Sequence, residues 1–244
     1  SSESTWEVDE CLRQFGRRPI EEFHNRGILG PSTVIAHGVW LDDHEVEILA
    51  QTGTSITHCP CSNMKLASGA ARIGYYREHG VTVALGTDGE KENNNLDMLE
   101  EMKFASLLQK VSTLDPTVGD PWEILDMATL SGAKALGLSD ITGSLESGKQ
   151  ADIVAIDLRG VHFVPVLRGS DFNVPAHLVF TASSHDVSDV WVKGRQLVEN
   201  GSVISVDVRA VVARAQAAAE ELFERRRHLA GPTLSPATTL NKVK

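Results

Sequence analysis

The chain has 244 residues, of which 41% are hydrophobic and 23% are charged, values close to those of globular proteins. This composition excludes a disordered tail, a collagen-like fibre and a coiled coil. The 33 acidic and 23 basic side chains give a net charge of −10, which disfavours nucleic-acid and membrane partners and favours a protein that acts on small molecules.

The first 140 residues alternate predicted helices with short, β-branched apolar strands. Such alternation indicates βαβ units and a parallel sheet, either in a (β/α) barrel or in a doubly wound sheet. In chain order the pattern predicts helix 5–27, strand 32–37, helix 41–51, strand 54–59, helix 67–79, strand 81–88, helix 96–110 and helix 121–136.

Past residue 140 the pattern changes to short strands between glycine-rich turns. A buried strand is predicted within 143–157, and antiparallel strands with hairpin turns are predicted at 177–181, 187–194 and 196–201. An Ala/Glu/Arg-rich helix is predicted at 206–229. Residues 230–244 carry Pro, Thr and Ser, and we expect them to be mobile.

Three polar residues lie at or near the ends of the predicted parallel strands: His37, His58 and Asp88. Histidine and aspartate are metal ligands and acid–base groups, and the carboxyl ends of parallel strands share one edge of a sheet. For each residue taken alone, a structural histidine or a helix-capping aspartate is the favoured interpretation. Gly86-Thr-Asp-Gly89 alone is only a turn signal. The three together favour a functional site.

Several segments resemble the amidohydrolase superfamily, in particular its 5′-methylthioadenosine/S-adenosylhomocysteine deaminase branch, with the s-triazine hydrolases nearby. The resemblance covers about residues 1–200. The matching segments are Val34-Ile-Ala-His-Gly-Val39, His58-Cys-Pro-Cys-Ser-Asn-Met-Lys-Leu-Ala-Ser-Gly69, Ala84-Leu-Gly-Thr-Asp-Gly89 with Asn93-Asn-Asn-Leu-Asp-Met98, Phe104-Ala-Ser-Leu-Leu-Gln-Lys110 and Gly143-Ser-Leu-Glu-Ser-Gly-Lys-Gln-Ala-Asp-Ile-Val154.

The resemblance implies an α/β fold that is the C-terminal part of a (β/α)8 TIM barrel, with its strands six to eight. Residues 1–140 would form this portion of the barrel. Residues 141–205 would form part of a small composite β-sandwich domain. Residues 206–244 would form a C-terminal helix and a flexible tail.

The resemblance also implies one divalent metal, zinc or else iron, held by a His-x-His pair, a further histidine and an aspartate. Asp88 matches the aspartate ligand. None of the nine histidines are spaced by two, and the further histidine would lie just before Ser1. We therefore expect the chain to be the C-terminal half of an enzyme, inactive without a missing N-terminal half or a partner chain.

For the chemistry, the resemblance implies hydrolytic deamination of an adenosine derivative. Asp88 would take a proton from the attacking water. Glu3 would protonate a ring nitrogen, and His37 would stabilise the attacking hydroxide or the tetrahedral centre. Glu3 and His37 would thus contact the substrate as well as assist catalysis.

Neighbouring residues are expected to support this site. His58 would have a structural role or would position other groups. Ser62, Asn63 and Lys65 would order the loop after the second strand.

Two other interpretations stay open. One is a related hydrolase that acts on another heteroaromatic ring, such as a triazine or a cytosine-like base. The other is a non-catalytic subunit.

The family resemblance also implies a homo-oligomer. The odd, small number of cysteines (Cys11, Cys59 and Cys61) predicts reduced thiols and a cytoplasmic protein.

Overall fold

The computed structural model describes residues 1–230 and the side chains of residues 1–228. In the first 140 residues, short strands alternate with helices. The elements are α1 (Thr5–Phe15), α2 (Pro19–Asn25), β1 (Val34–Ala36), α3 (Asp43–Thr52), β2 (Ser55–His58), α4 (Pro60–Lys65), α5 (Ile73–Glu78), β3 (Val83–Leu85), α6 (Glu90–Asn93), α7 (Met98–Thr113), α8 (Pro121–Ala128) and α9 (Leu130–Ala135).

The three strands form a parallel sheet in the order β1-β2-β3. Ile35 pairs with Ile56, which pairs with Val83, and all three side chains are buried. They share one apolar core with side chains of α3, α5, α7 and α8. Each such side chain contributes about 1.5–3 kcal/mol through burial. The predicted α/β class is confirmed.

The other face of the sheet is only partly covered. Val34, Thr57 and Ala84 line a cavity of about 400 Å³, together with residues of α8, α9 and the loop that follows them. Within residues 1–230, β1 and β3 each pair with β2 alone and so form the two edges of this sheet. The sheet is therefore a three-stranded segment rather than a closed barrel.

Two predicted helices are each divided into two. The helix predicted at 5–27 stops at Gly16, which adopts a left-handed φ of 70°, and a new helix begins at Pro19. A glycine C-cap and a proline at the first helical position are typical helix boundaries. The helix predicted at 121–136 is interrupted at Thr129, whose φ of −128° and ψ of −92° are not helical.

The helix predicted at 67–79 is also wrong over its first half. Ala67 and Gly69 have φ angles of 55° and 123°, which no right-handed helix accommodates, so only Ile73–Glu78 is helical. The structure places a separate short helix, α4, directly after β2. Pro60 occupies its first turn, where a missing N–H costs nothing.

Beyond residue 140 a second sheet forms. Its four strands are β4 (Ile153–Ile156), β5 (Val187–Val192), β6 (Arg195–Glu199) and β7 (Ser202–Val203), which are antiparallel and adjacent in that order. Asn200 and Gly201 join β6 to β7 with φ angles of 47° and 73°, the pattern of a type I′ hairpin turn. The remaining elements are α10 (Val174–Phe180), α11 (Val208–Ala230) and single 3-10 turns at Val161–Phe163, Gly169–Asp171 and Ser184–Asp186.

Two predictions for this part of the chain are wrong. Residues 177–181 belong to helix α10 and its C-terminal cap, not to a strand. Pro175 and Val179 lie four residues apart and are both buried on one face of this helix, which packs on α7 and α8. Tertiary packing therefore overrides the β propensity of the run. The strand predicted to be buried, β4, is partly exposed, with Val154 57% accessible.

The helix predicted at 206–229 is observed as α11, over Val208–Ala230. The tail expected to be mobile begins at the end of this helix and otherwise lies outside the described residues. Among the helices of residues 1–230, none combines the length and the apolar character that crossing a bilayer requires.

We expect Tyr76→Phe to lower the free energy of unfolding by about 1–3 kcal/mol. The hydroxyl of Tyr76, a fully buried residue, donates a 2.8 Å hydrogen bond to the carbonyl of Gly38, next to His37. Phenylalanine would leave that carbonyl without its donor. Denaturant titration measures the change. Tyr75→Phe is the matched control, and an equal loss in both variants would contradict a specific role for this bond.

Candidate active site

The three residues that the sequence predicts for the site lie together. His37 directly follows β1, and Asp88 follows β3, so both lie at the carboxyl edge of the parallel sheet. Glu3 approaches the same edge from the turn before α1. Nε2 of His37 is 3.6 Å from Oε2 of Glu3 and 3.8 Å from Oδ2 of Asp88. One imidazole nitrogen thus faces two carboxyl groups.

Both strand-end residues have unusual backbone conformations. The φ angles are 72° at His37 and 61° at Asp88, in the left-handed region that residues other than glycine rarely occupy. Such conformations are retained where surrounding structure enforces them, and they are common at functional sites.

Asn63 orients the His37 ring. Its Oδ1 lies 3.0 Å from Nδ1 of His37. The direction of this hydrogen bond depends on the His37 tautomer, and in this orientation of the Asn63 amide the proton lies on Nδ1. Nε2 is therefore the nitrogen that is free to interact with the two carboxyl groups or with a ligand between them.

Ser62, the residue before Asn63, holds Asp88. Its Oγ donates a 2.6 Å hydrogen bond to Oδ2 of Asp88. Burial opposes ionisation of Asp88, but the bonds from Ser62 and from the Gly89 backbone N–H, with the charge of His37, outweigh it. The pKa of Asp88 therefore lies below its ordinary value. At neutral pH this carboxyl is an anion, fit to accept a proton or to bind a cation.

Glu3 is held by a second hydroxyl. Oγ of Ser68 donates a 2.9 Å hydrogen bond to Oε1 of Glu3. Oε2 is left to face His37, and the Glu3 side chain remains 28% exposed. The carboxyl group can therefore contact both His37 and a ligand.

Helix α4 is the element that sequence reasoning missed, and it carries both orienting side chains. Ser62 and Asn63 are fully buried on it. Nζ of Lys65 bonds the Lys91 carbonyl at 2.7 Å and Oδ1 of Asn94 at 2.6 Å, which joins α4 to the segment after Asp88. The available signal was Pro60 followed by polar residues, since proline is frequent in the first helical turn.

His58, at the end of β2, is fully buried, and neither ring nitrogen has a hydrogen-bond partner among the described residues. Burial, together with the nearby charge of His37, lowers the pKa of His58 to about 3. This histidine is therefore neutral at physiological pH. The amide nitrogen of Asn63 is likewise buried without a partner in the described part of the chain.

The donor set can be compared with what a metal requires. Asp88 offers an anionic oxygen, a ligand that zinc accepts. Within residues 1–230 no group of three or more His, Cys, Asp or Glu side chains is arranged to hold a metal ion. Asp88 thus offers a suitable donor, and the described residues do not by themselves form a metal site.

Comparison with known proteins identifies the family. The family model for amidohydrolases matches residues 1–197. The chain belongs to the amidohydrolase family. This amidohydrolase chain is 45% identical over 221 residues to 5′-deoxyadenosine deaminase of Methanothermobacter thermautotrophicus, across 91% of the chain. It is 42% identical over 213 residues to 5-methylthioadenosine/S-adenosylhomocysteine deaminase of Syntrophobacter fumaroxidans, across 87% of the chain.

Solved structures agree with this family assignment. A zinc-bound adenosine deaminase of Xanthomonas campestris superposes with a TM-score of 0.87 at 35% identity, over 92% of this chain and 50% of that protein. A zinc complex of atrazine chlorohydrolase from Arthrobacter aurescens gives a TM-score of 0.80 at 29% identity, over 88% of this chain and 46% of that protein. The resemblance predicted from the sequence is confirmed.

All of these matches cover only part of the known protein. The chain spans 50% of the Methanothermobacter relative and 48% of the Syntrophobacter relative. The matched region of the amidohydrolase fold is therefore about half of each known protein.

Proposed function

We propose that this chain forms part of a hydrolytic deaminase of adenosine derivatives. The observation that carries the proposal is the arrangement at the carboxyl edge of the sheet, where Nε2 of His37 faces the carboxyl groups of Glu3 and Asp88. Two carboxyl groups and an imidazole that face the same region can donate and accept protons on opposite sides of a bound aromatic ring. The names of the two deaminase relatives described above support a purine nucleoside as substrate.

We propose that β1, β2 and β3 correspond to strands six, seven and eight of a (β/α)8 barrel. In this division, residues 1–140 belong to the barrel, residues 141–205 to a small β domain and residues 206–244 to a C-terminal helix and tail. The parallel order of β1–β3 and the antiparallel order of β4–β7 support it. Two free sheet edges are stabilised when further strands pair with them.

We propose that Asp88 binds one divalent metal, zinc or else iron, together with histidines from polypeptide beyond these 244 residues. The two zinc-bound similar structures and the anionic carboxyl group of Asp88 at the carboxyl edge of the sheet support this assignment. Such a metal, when bound, lowers the pKa of a water molecule to about 7 and so supplies a nucleophile at neutral pH.

The residues of this chain have distinct roles in the proposed reaction. Asp88, held as an anion, accepts a proton from the water that attacks the ring carbon bearing the amino group. Glu3 donates a proton to the adjacent ring nitrogen, and Nε2 of His37 hydrogen-bonds the attacking oxygen. Proton return to the amino group releases ammonia, so water is consumed and a keto group replaces the amine.

We propose a cytoplasmic setting for this enzyme. Cys11, Cys59 and Cys61 are all free thiols, which fits a reducing cytoplasmic compartment. A homo-oligomer is proposed from the family resemblance.

Ammonia release tests the proposed function. The protein assembled with its metal should release one ammonia per keto product from 5′-deoxyadenosine, 5′-methylthioadenosine or S-adenosylhomocysteine. The similarity to atrazine chlorohydrolase favours one alternative, a hydrolase of a substituted triazine. Chloride release from a chlorotriazine, with no ammonia from any adenosine derivative, would support that alternative. Loss of both activities and of metal binding would indicate a non-catalytic subunit.

A further inference from the structure

A buried carboxyl group outside the site connects the two segments that frame Asp88. Glu101 lies on α7 and is fully buried. Its Oε2 accepts a 3.2 Å hydrogen bond from the backbone N–H of Cys61, in the first turn of α4. Its Oε1 accepts a hydrogen bond from Nδ2 of Asn93, the last residue of α6. One side chain thus joins α4 to the segment that follows Asp88.

The two segments held by Glu101 carry the contacts that orient the site. Helix α4 supplies Ser62, which bonds Asp88, and Asn63, which bonds His37. The N-cap residue of α4 provides no side-chain cap, so a backbone donor of the first turn is satisfied from α7 instead. On the other side, Oδ1 of Asn93 accepts the backbone N–H groups of Asn95 and Leu96, which fixes the loop into α7.

We propose that Glu101 is a positioning residue, whose carboxylate fixes α4 relative to the loop after Asp88 and so holds Ser62 and Asn63 in place. The predicted effect on catalysis rests on the proposed function. The predicted effect on the position of α4 depends only on the contacts between Glu101, Cys61 and Asn93.

The polarity of these contacts explains why a carboxylate is needed. Cys61 N–H and Asn93 Nδ2 are both donors, so Glu101 must accept at both oxygens. A glutamine at position 101 would place its NH2 group against one of these two donors. Rotation of the Asn93 amide does not relieve this conflict, because Oδ1 of Asn93 already accepts hydrogen bonds from the backbone N–H groups of Asn95 and Leu96. Burial raises the pKa of Glu101 to about 7, so assays at pH 8.5 compare ionised carboxylates.

Reversing the polarity of the pair provides the test. The variants are Glu101→Gln, Asn93→Asp and the double variant. In the double variant, the introduced amide oxygen accepts from Cys61, and the introduced NH2 donates to the new carboxylate at position 93, which still accepts from Asn95 and Leu96. Glu100→Gln is the matched control, since it removes the same charge one residue earlier on α7 without touching Cys61 or Asn93, and its amide oxygen can still accept the hydrogen bond from Nδ2 of Asn95.

We expect Glu101→Gln and Asn93→Asp each to lower kcat by about 10- to 100-fold with KM changed by less than about 3-fold, and the double variant to recover most of the loss. Hydrogen exchange of the amides of α4 should accelerate in both single variants and return toward the wild-type rate in the double variant. The control should match wild type in both measurements.

The exchange measurement separates the two ideas. If the wild-type protein does not deaminate but the exchange pattern follows this order, the positioning role stands and the proposed function fails. If exchange of α4 is unchanged in Glu101→Gln, or if the double variant is as impaired as the single ones, the positioning role is overturned.

Discussion

Asp88→Asn is expected to lower kcat/KM for deamination by about 10³-fold, the scale of a lost acid–base group. Asparagine retains the shape of the side chain, and its carbonyl can still accept the hydrogen bond that Ser62 gives to Oδ2 of Asp88. It removes the anion, and with it both the proposed proton acceptor and the proposed metal ligand. The geometry of the site should therefore persist while its chemistry is lost.

Two measurements on the assembled protein check this prediction, kcat/KM from ammonia release and bound zinc by elemental analysis. Asp140→Asn is the matched control, because Asp140 is an exposed aspartate far along the chain from the sheet edge. The control should keep wild-type activity and metal content. Undiminished deamination and metal content in Asp88→Asn would contradict the role of Asp88.

Between pH 7 and pH 4 we expect the wild-type protein to lose about 3 kcal/mol more free energy of unfolding than the His58→Gln variant. The pKa of His58 is lowered to about 3 in the folded protein, whereas an unfolded histidine titrates near 6.5. Below pH 6.5 the unfolded chain binds a proton that the folded chain does not. The contribution of neutral His58 to the free energy of unfolding is therefore fully present above pH 6.5 and is lost as the pH falls toward 3.

Denaturant titrations at pH 7 and pH 4 measure this difference, and comparing the pH effect between variants cancels the titration of other groups. Glutamine stays neutral, so it lacks the acid-dependent loss even if it packs less well. His79→Gln, at an exposed position, is the matched control and should keep the wild-type pH dependence. Equal acid sensitivity of the wild type and His58→Gln would show that His58 does not resist protonation.

The positions of the parallel strands were predictable from local sequence. Apolar β-branched runs between turn signals indicated β1, β2 and β3, and each was found within the predicted limits. The Asn200-Gly201 turn was predictable for the same reason, since a type I′ turn depends on the two residues within it. These features need no information from distant parts of the chain.

Helix boundaries and one helix–strand choice were not predictable from local sequence alone. Predicted helices were interrupted at Gly16, at Thr129 and in the segment of Ala67 and Gly69, where backbone angles depart from helical values. Residues 177–181 have a β-like composition, but α10 forms because Val179 is buried where this helix packs on α7 and α8. Packing against elements distant in sequence decided these cases.

Within the site, the sequence by itself determined that a histidine and an aspartate follow two strands, and the family resemblance singled out Glu3, His37 and Asp88. The tertiary structure decided what holds them. Asn63 reaches His37 from 26 residues away, and Glu101 reaches Cys61 from 40 residues away. Strand ends and turns depend on local backbone preferences, whereas these hydrogen bonds exist only after helices pack on the sheet and exclude water.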